Sequence, residues 1–237
     1  VSIFQFKQFQ IKQEQSAMKI GTDSVLLGCL CDVLDATNIL DIGTGTGLLS
    51  LILAQKSEAK IDAVEIEYLA YEEAKFNFNS SIWSNRLHAH HQSLQLFQSA
   101  LPYDLIISNP PYFTHEKNYN IQDKSRRQAR QDMDLSFEDL QEHASRLLSL
   151  NGHFWLILPV EQAIVFSEIM IHSGWFLTKQ ILLQPKYGKL PNRKIMCWSK
   201  QDIPCINSQL TIYDDKGHYT PAYKHATIDY LLWESKK

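Results

Sequence analysis

Along residues 38–110, short apolar runs alternate with segments of helical periodicity. "NILDIG" (38–43), "KIDAVEIE" (60–67), "RLHAHHQ" (86–92) and "YDLIIS" (103–108) read as strands, with "GLLSLILAQKS" (47–57) and "YLAYEEAKFNFNSS" (68–81) as helices between them. Short strands separated by helices predict an α/β fold with a parallel sheet covered on both faces. The alternation continues past residue 130. Ser136 with Asp139 three residues on predicts a capped helix over 136–149, stopped by Asn151-Gly152. "HFWLILP" (153–159) is a fifth strand, and 160–174 is a helix closed by Gly174. Residues 176–185 and 193–200 read as an antiparallel finish to the sheet, joined by a loop with Gly188 and Pro191. "QLTIYD" (209–214) and the tail to Lys237 read as a small addition, and two helical or extended segments precede the first strand.

Composition narrows this picture. A chain of 237 residues, 44% hydrophobic, suits one large domain or one with a small extension. Net charge is -3 and the pI is near 6.3, so any nucleic-acid partner must be met by a local basic patch. The four cysteines form no CxxC pair or zinc-like spacing and read as free thiols. No apolar run reaches the roughly 18–20 residues of a membrane helix. "VSIFQFKQFQ" lacks the apolar core of a signal peptide, and a reducing cytoplasm fits best. His88, His90 and His91 are the one histidine cluster, with no third ligand nearby to complete a metal site.

The candidate chemistry sits at strand ends. The first strand runs into Asp41-Ile42-Gly43-Thr44-Gly45-Thr46-Gly47, where glycines let a ligand approach the backbone. Glu65 ends the second strand, placed to accept hydrogen bonds from ribose hydroxyls. A dinucleotide GxGxxG does not fit, because its last glycine falls on Leu48 or Ser50, and there is no Gly-Lys-Ser/Thr of a P-loop. An acid two residues before the first glycine would repel a pyrophosphate. It suits a ligand carrying an ammonium group, such as the methionine part of S-adenosylmethionine. The alternative is a tight strand-to-helix turn without a ligand.

"LIISNPPYF" (105–113) ends the fourth strand. In an open parallel sheet, ligands bind beyond the carboxyl ends of the strands at the switch point. If the first and fourth strands are neighbours, Asn109 lies beside the glycine loop. Pro110 and Pro111 fix two φ angles and remove two donors, leaving carbonyl oxygens without competing N–H groups. Asn109 adds a side-chain acceptor, and Tyr112 can stack on a flat substrate. Such a site suits an –NH2 on an sp2 carbon. Its acceptors can localise the amine's lone pair and aim it at a methyl donor, with orientation and electrostatics as the main catalytic terms.

These residues resemble class I S-adenosylmethionine-dependent methyltransferases of the amino-methylating, Asn-Pro-Pro-Tyr group. More closely, 4–28, 40–55, 61–67, 104–113 and "RRQAR" (126–130) are similar to the tRNA1(Val) adenine-37 N6-methyltransferase family. The resemblance implies a Rossmann-like fold: a mostly parallel seven-stranded sheet with an antiparallel last strand and helices on both faces. It implies a single domain over 1–237, with an N-terminal cofactor-covering segment (1–35), a core (36–200) and a C-terminal extension (201–237). It places Lys19, Thr22, Asp41, Gly43, Gly45, Gly47, Glu65, Ile66 and Asn109 at the cofactor, with Asp23 in the covering segment. Asn109, Pro110, Pro111 and Tyr112 fall at the target base. Where many relatives carry an aspartate for the cofactor adenine, this chain has Ser93, whose oxygen still accepts a hydrogen bond without charge.

Two basic segments are candidates for the anticodon loop of the tRNA: Lys124, Arg126, Arg127 and Arg130, and Lys186, Lys189, Arg193 and Lys194 around Tyr187. The alternative is ordinary solvated loops. By chemistry alone, ribosomal RNA, DNA adenine or a protein glutamine would suit the same site. A non-catalytic RNA-binding factor is the rival outside enzymes.

Overall fold

An antiparallel hairpin, β1 (Ile3–Gln5) and β2 (Gln10–Lys12), opens the chain in the computed structural model, which describes residues 2–15, 19–111 and 135–233. Helix α1 (Thr22–Leu30) follows. Then come β3 (Asn38–Ile42), α2 (Leu48–Lys56), β4 (Lys60–Glu65), α3 (Tyr68–Asn79), β5 (Leu87–His91) and β6 (Tyr103–Ser108). The second half holds α4 (Phe137–Leu147), β7 (Leu148–Pro159), α5 (Val160–His172), β8 (Phe176–Lys186) and β9 (Arg193–Ser199). β10 (Ile206–Tyr213) and the short helix α6 (Pro221–Thr227) complete it.

The main sheet has the order β10-β8-β9-β7-β6-β3-β4-β5. β9 lies antiparallel to both β7 and β8, and the other pairings are parallel. The seven expected strands are therefore present, the last of them antiparallel. "QLTIYD", read as a small addition, proves to be an eighth strand parallel to β8. Its Leu210 and Ile212 are buried, so pairing and burial place it in the sheet.

Alternate residues send side chains to two cores. Ile39, Leu105, Trp155 and Ile195 join one with α1, α2, α3 and α6; Leu40, Ile106, Phe154 and Met196 join the other with α4 and α5. Helix α2 is buried on every side from Leu48 to Ala54, as its apolar sequence requires. Helix α4 is amphipathic. Ser136 Oγ accepts from the Asp139 amide at 3.0 Å while Asp139 Oδ2 accepts from the Ser136 amide at 3.0 Å, the expected capping box. Asn151-Gly152 does not end that helix. β7 already starts at Leu148, and pairing with β6 jumps from Tyr103–Leu148 to Leu105–His153, so the two residues sit in an irregular strand. Phe6 and Phe9 of the N-terminal segment are buried and stack at 4.5 Å. No helix among the described residues is long and apolar enough to cross a membrane.

Candidate active site

β3 is paired on one side with β4 and on the other with β6, so the strand order reverses beside it. Ile42 is in register with both Val64 and Ser108. The residues that follow, Gly43, Glu65 and Asn109, therefore leave the carboxyl edge side by side. The strand neighbours required to bring Asn109 to the glycine loop are the ones observed.

Gly43, Gly45 and Gly47 have φ of +68°, +56° and +84°. A Cβ on Gly43 or Gly45 would meet nothing within 4 Å, which leaves an open cradle above the turn. Gly47 differs: a Cβ there would lie 2.5 Å from Phe78 Cε1, and its amide donates to Thr44 O at 3.0 Å. Gly47 thus builds the turn and its packing on α3. The Gly43 and Thr44 amides both donate to Val64 O, at 2.9 and 3.2 Å.

Asp41 is fully buried beneath the loop. Its Oδ2 accepts from Thr44 Oγ1 (2.6 Å), Ser50 Oγ (2.7 Å) and the Ser50 amide (3.2 Å), which joins strand, loop and the first turn of α2. Its Oδ1 is buried without a partner. Burial pushes this carboxyl up to about 6, although the bonds from Thr44 and Ser50 pull the other way. Glu65 accepts from the Gly45 amide through Oε2 and from the Glu67 amide through Oε1, both at 2.9 Å. Each oxygen keeps a lone pair for another donor. Ile66 follows, half-buried, its carbonyl 3.0 Å from His91 Nε2. Ser93 lies in the turn after β5, where its carbonyl accepts from the Leu96 and Phe97 amides.

Asn109 donates through Nδ2 to Ser24 Oγ of α1 at 2.7 Å, and its Oδ1 is buried with no partner. Pro110 is buried and Pro111 exposed. Tyr112 lies outside the described residues, as do Lys124, Arg126, Arg127 and Arg130.

The N-terminal segment is fastened over this edge. Asn77 of α3 accepts from the Lys12 amide and donates to Lys12 O, both at 2.9 Å, and also donates to Thr46 O at 2.8 Å. One turn earlier, Glu73 accepts from the amides of Glu14 and Gln15. Lys19 donates to the carbonyls of Gln13 and Glu14, so its ammonium serves the N-terminal segment itself. Thr22 opens α1, half-buried, after the cap residue Gly21. At the other end of α1, Lys56 donates to the carbonyls of Gly28, Cys29 and Cys31, a cation at a helix C-terminus. Neither Ser24, Glu73 nor Asn77 was singled out from the sequence.

Of the second basic segment, Lys186, Lys189 and Lys194 stand at the same carboxyl edge, with Tyr187 exposed in the loop between β8 and β9. Arg193 has a different use: its Nε donates to Asp23 Oδ2 at 2.8 Å and its Nη1 to Asn192 O at 3.0 Å, tying α1 to β9. Among the described residues no cluster of three or more His, Cys, Asp or Glu is placed to hold a metal. His90 Nε2 instead lies 2.6 Å from Asp62 Oδ1.

The open glycine cradle, the unpartnered buried acceptor of Asp41 and the remaining lone pairs of Glu65 fit a cationic nucleoside. The unpartnered acceptor of Asn109 fits an amine beside it. A family model described as the methyltransferase small domain matches residues 15–164. A tRNA1(Val) (adenine(37)-N6)-methyltransferase from Histophilus somni (strain 2336) is 38% identical over 97% of each chain. Two solved structures share the fold. One, described as a predicted O-methyltransferase from Agrobacterium tumefaciens, has a TM-score of 0.68 at 18% identity, over 91% of this chain and 100% of its own. The other, described as a candidate class I S-adenosylmethionine-dependent methyltransferase from Listeria monocytogenes, has a TM-score of 0.55 at 16% identity, over 87% and 68%.

Proposed function

Because the chain belongs to the family of tRNA1(Val) (adenine(37)-N6)-methyltransferases, we infer that it methylates N6 of adenine-37 in that tRNA, with S-adenosylmethionine as donor. The observation that carries the reading is the unpartnered Oδ1 of Asn109, set by register beside the glycine cradle. When bound, S-adenosylmethionine supplies a methyl group activated by its sulfonium. Gly43 and Gly45 admit it to the backbone, Glu65 accepts from its ribose hydroxyls, and Asp41 Oδ1 offers a buried negative partner for its ammonium. Ile66 and Ser93 line the adenine side, and Ser93 accepts without charge.

An exocyclic adenine amine is a weak nucleophile because its lone pair is delocalised into the ring. Asn109 Oδ1 and the Pro110 carbonyl accept its two N–H bonds, which localises the pair and aims it. Pro110 and Pro111 hold those acceptors rigidly and bring no donor of their own. The proton leaves after transfer, so the residues act by orientation and preorganised polarity. Lys186, Lys189 and Lys194, with Tyr187, are proposed to hold the anticodon loop, whose target base must be turned out of its stack. We further propose that residues 1–237 work as one domain in the cytoplasm. The N-terminal segment covers the cofactor, and the C-terminal extension beyond residue 200 completes the sheet with β10.

The test is transfer from radiolabelled S-adenosylmethionine to tRNA of a strain lacking this gene, with nucleosides resolved by mass spectrometry. N6-methyladenosine confined to one valine tRNA is expected. Label in ribosomal RNA, DNA or protein glutamine instead would keep the chemistry and discard the substrate.

A further inference from the structure

We propose that Ser108 is a positioning residue: its buried hydroxyl pins the end of β6 to the end of β3 and thereby holds the amine acceptor Asn109 in place against the glycine cradle. The inference rests on the reading of Asn109 as acceptor for the amine.

Ser108 is the last residue of β6 and Ile42 the last of β3. They stand opposite each other in register, 0% and 2% exposed. Ser108 Oγ lies 2.9 Å from Ile42 O. A carbonyl oxygen only accepts, so the hydroxyl is the donor and the sense of the bond is fixed. Asn109 follows directly after Ser108, and Gly43 directly after Ile42. One side-chain bond therefore spans the switch point between the amine site and the cofactor site.

The residue type agrees with this. Leu105, Ile106 and Ile107 before it are buried and apolar, and Leu156 is its neighbour in β7. A hydroxyl among them gives up its water and requires a partner, which an apolar side chain would not. Its partner is the strand carbonyl next to the cradle. Past Asn109 the chain has no donor with which to continue pairing to β3, because Pro110 and Pro111 lack an N–H. The cradle is held separately on its other side, where the Gly43 and Thr44 amides donate to Val64 O. Loss of the hydroxyl should therefore release the Asn109 end and leave the cofactor end in place.

The test measures methyl transfer to tRNA of a strain lacking this gene by wild type, Ser108→Ala and Ser108→Cys, each change also combined with Asn109→Ala. Cysteine fills at least the space of serine, but its S–H is a weak donor, so it separates the bond from the packing. Both single variants should lose about tenfold or more in kcat, since a displacement of about 1 Å at reacting groups costs on the order of 10²-fold. Their KM for S-adenosylmethionine should match wild type. In the Asn109→Ala background neither change should lower kcat further, because the group being positioned is gone. Wild-type kcat in either single variant would overturn the assignment. So would an equal loss with and without Asn109, or a KM for S-adenosylmethionine that rises as kcat falls, since both mark a general disturbance of the fold. Failure of the wild type itself to methylate RNA adenine would instead strike at the underlying functional reading.

Discussion

Gly47 and Gly45 sit two residues apart with similar backbone angles, yet their alanine variants should fail in different ways. At Gly47 the left-handed backbone, φ +84°, costs a side chain about 1–2 kcal/mol. The added Cβ would also lie 2.5 Å from Phe78 Cε1, in a core where Phe78 is 1% exposed. Overpacking of that kind adds about 1–3 kcal/mol. The sum, about 2–5 kcal/mol, corresponds to a melting temperature lower by roughly 4–20 °C for a chain of this size. At Gly45 only the backbone cost applies, since nothing lies within 4 Å, so the loss should be roughly 2–8 °C. The methyl group would instead project into the cradle, and S-adenosylmethionine affinity should fall by about tenfold or more. Thermal denaturation and calorimetric titration of both variants check this. Gly47→Ala combined with Phe78→Leu should lose less stability than the two single changes added together, because the clash is shared. A Gly47→Ala protein that melts with wild type but binds cofactor worse than Gly45→Ala would refute the division of roles.

Asn109→Ala should leave S-adenosylmethionine affinity within about threefold while lowering kcat by about 10²–10³, measured by calorimetry and methyl transfer. Asp41 has a folded-state value pushed up by burial to about 6, so its contribution to stability is full below about pH 4 and is lost as pH rises through 6. Asp41→Asn does not titrate, and its melting temperature relative to wild type should be higher near pH 7.5 than near pH 4. Its cofactor affinity should fall, because the negative partner is gone. Lys186→Ala with Lys189→Ala should weaken tRNA binding and flatten its salt dependence by about two phosphate contacts. Arg193→Ala should chiefly lower the melting temperature, by loss of the Asp23 tie. Asn77→Ala removes all three bonds of that amide, leaving Lys12 and Thr46 groups unpaired, and should cost about 1–3 kcal/mol in denaturant titration.

The strand ends were the most readable part of the chain. Positive-φ glycines and consecutive prolines announce themselves by residue type, and the βαβ alternation leaves few places where their strands can lie. Strand β10 was harder to read. "QLTIYD" alternates polar and apolar positions, the period of a half-buried strand, but nothing in it names the neighbour, which only pairing with β8 supplies. Ser24 carried no local signal, because its partner lies 85 residues away. Asn77 and Glu73 did carry one. Ala70, Glu73, Ala74, Asn77 and Phe78 form the buried stripe of α3 at helical spacing, so two polar residues there required polar partners. The identity of those partners, the backbone of residues 12–15 and of Thr46, depended on an N-terminal segment whose path periodicity does not describe. Arg193 looked like a phosphate ligand for the same reason: charge is legible in a sequence and a distant carboxylate partner is not.

The Asn77 amide also provides a natural reporter. The Lys12 N–H leaves the hairpin strand and ends on the Asn77 side chain, not on a strand neighbour. Its proton can exchange with solvent only when that one contact opens. The same side chain donates to Thr46 O in the glycine loop, so one amide joins the N-terminal segment to that loop. Slower exchange at this amide on addition of S-adenosylmethionine would show that the ligand steadies the joint between hairpin and glycine loop.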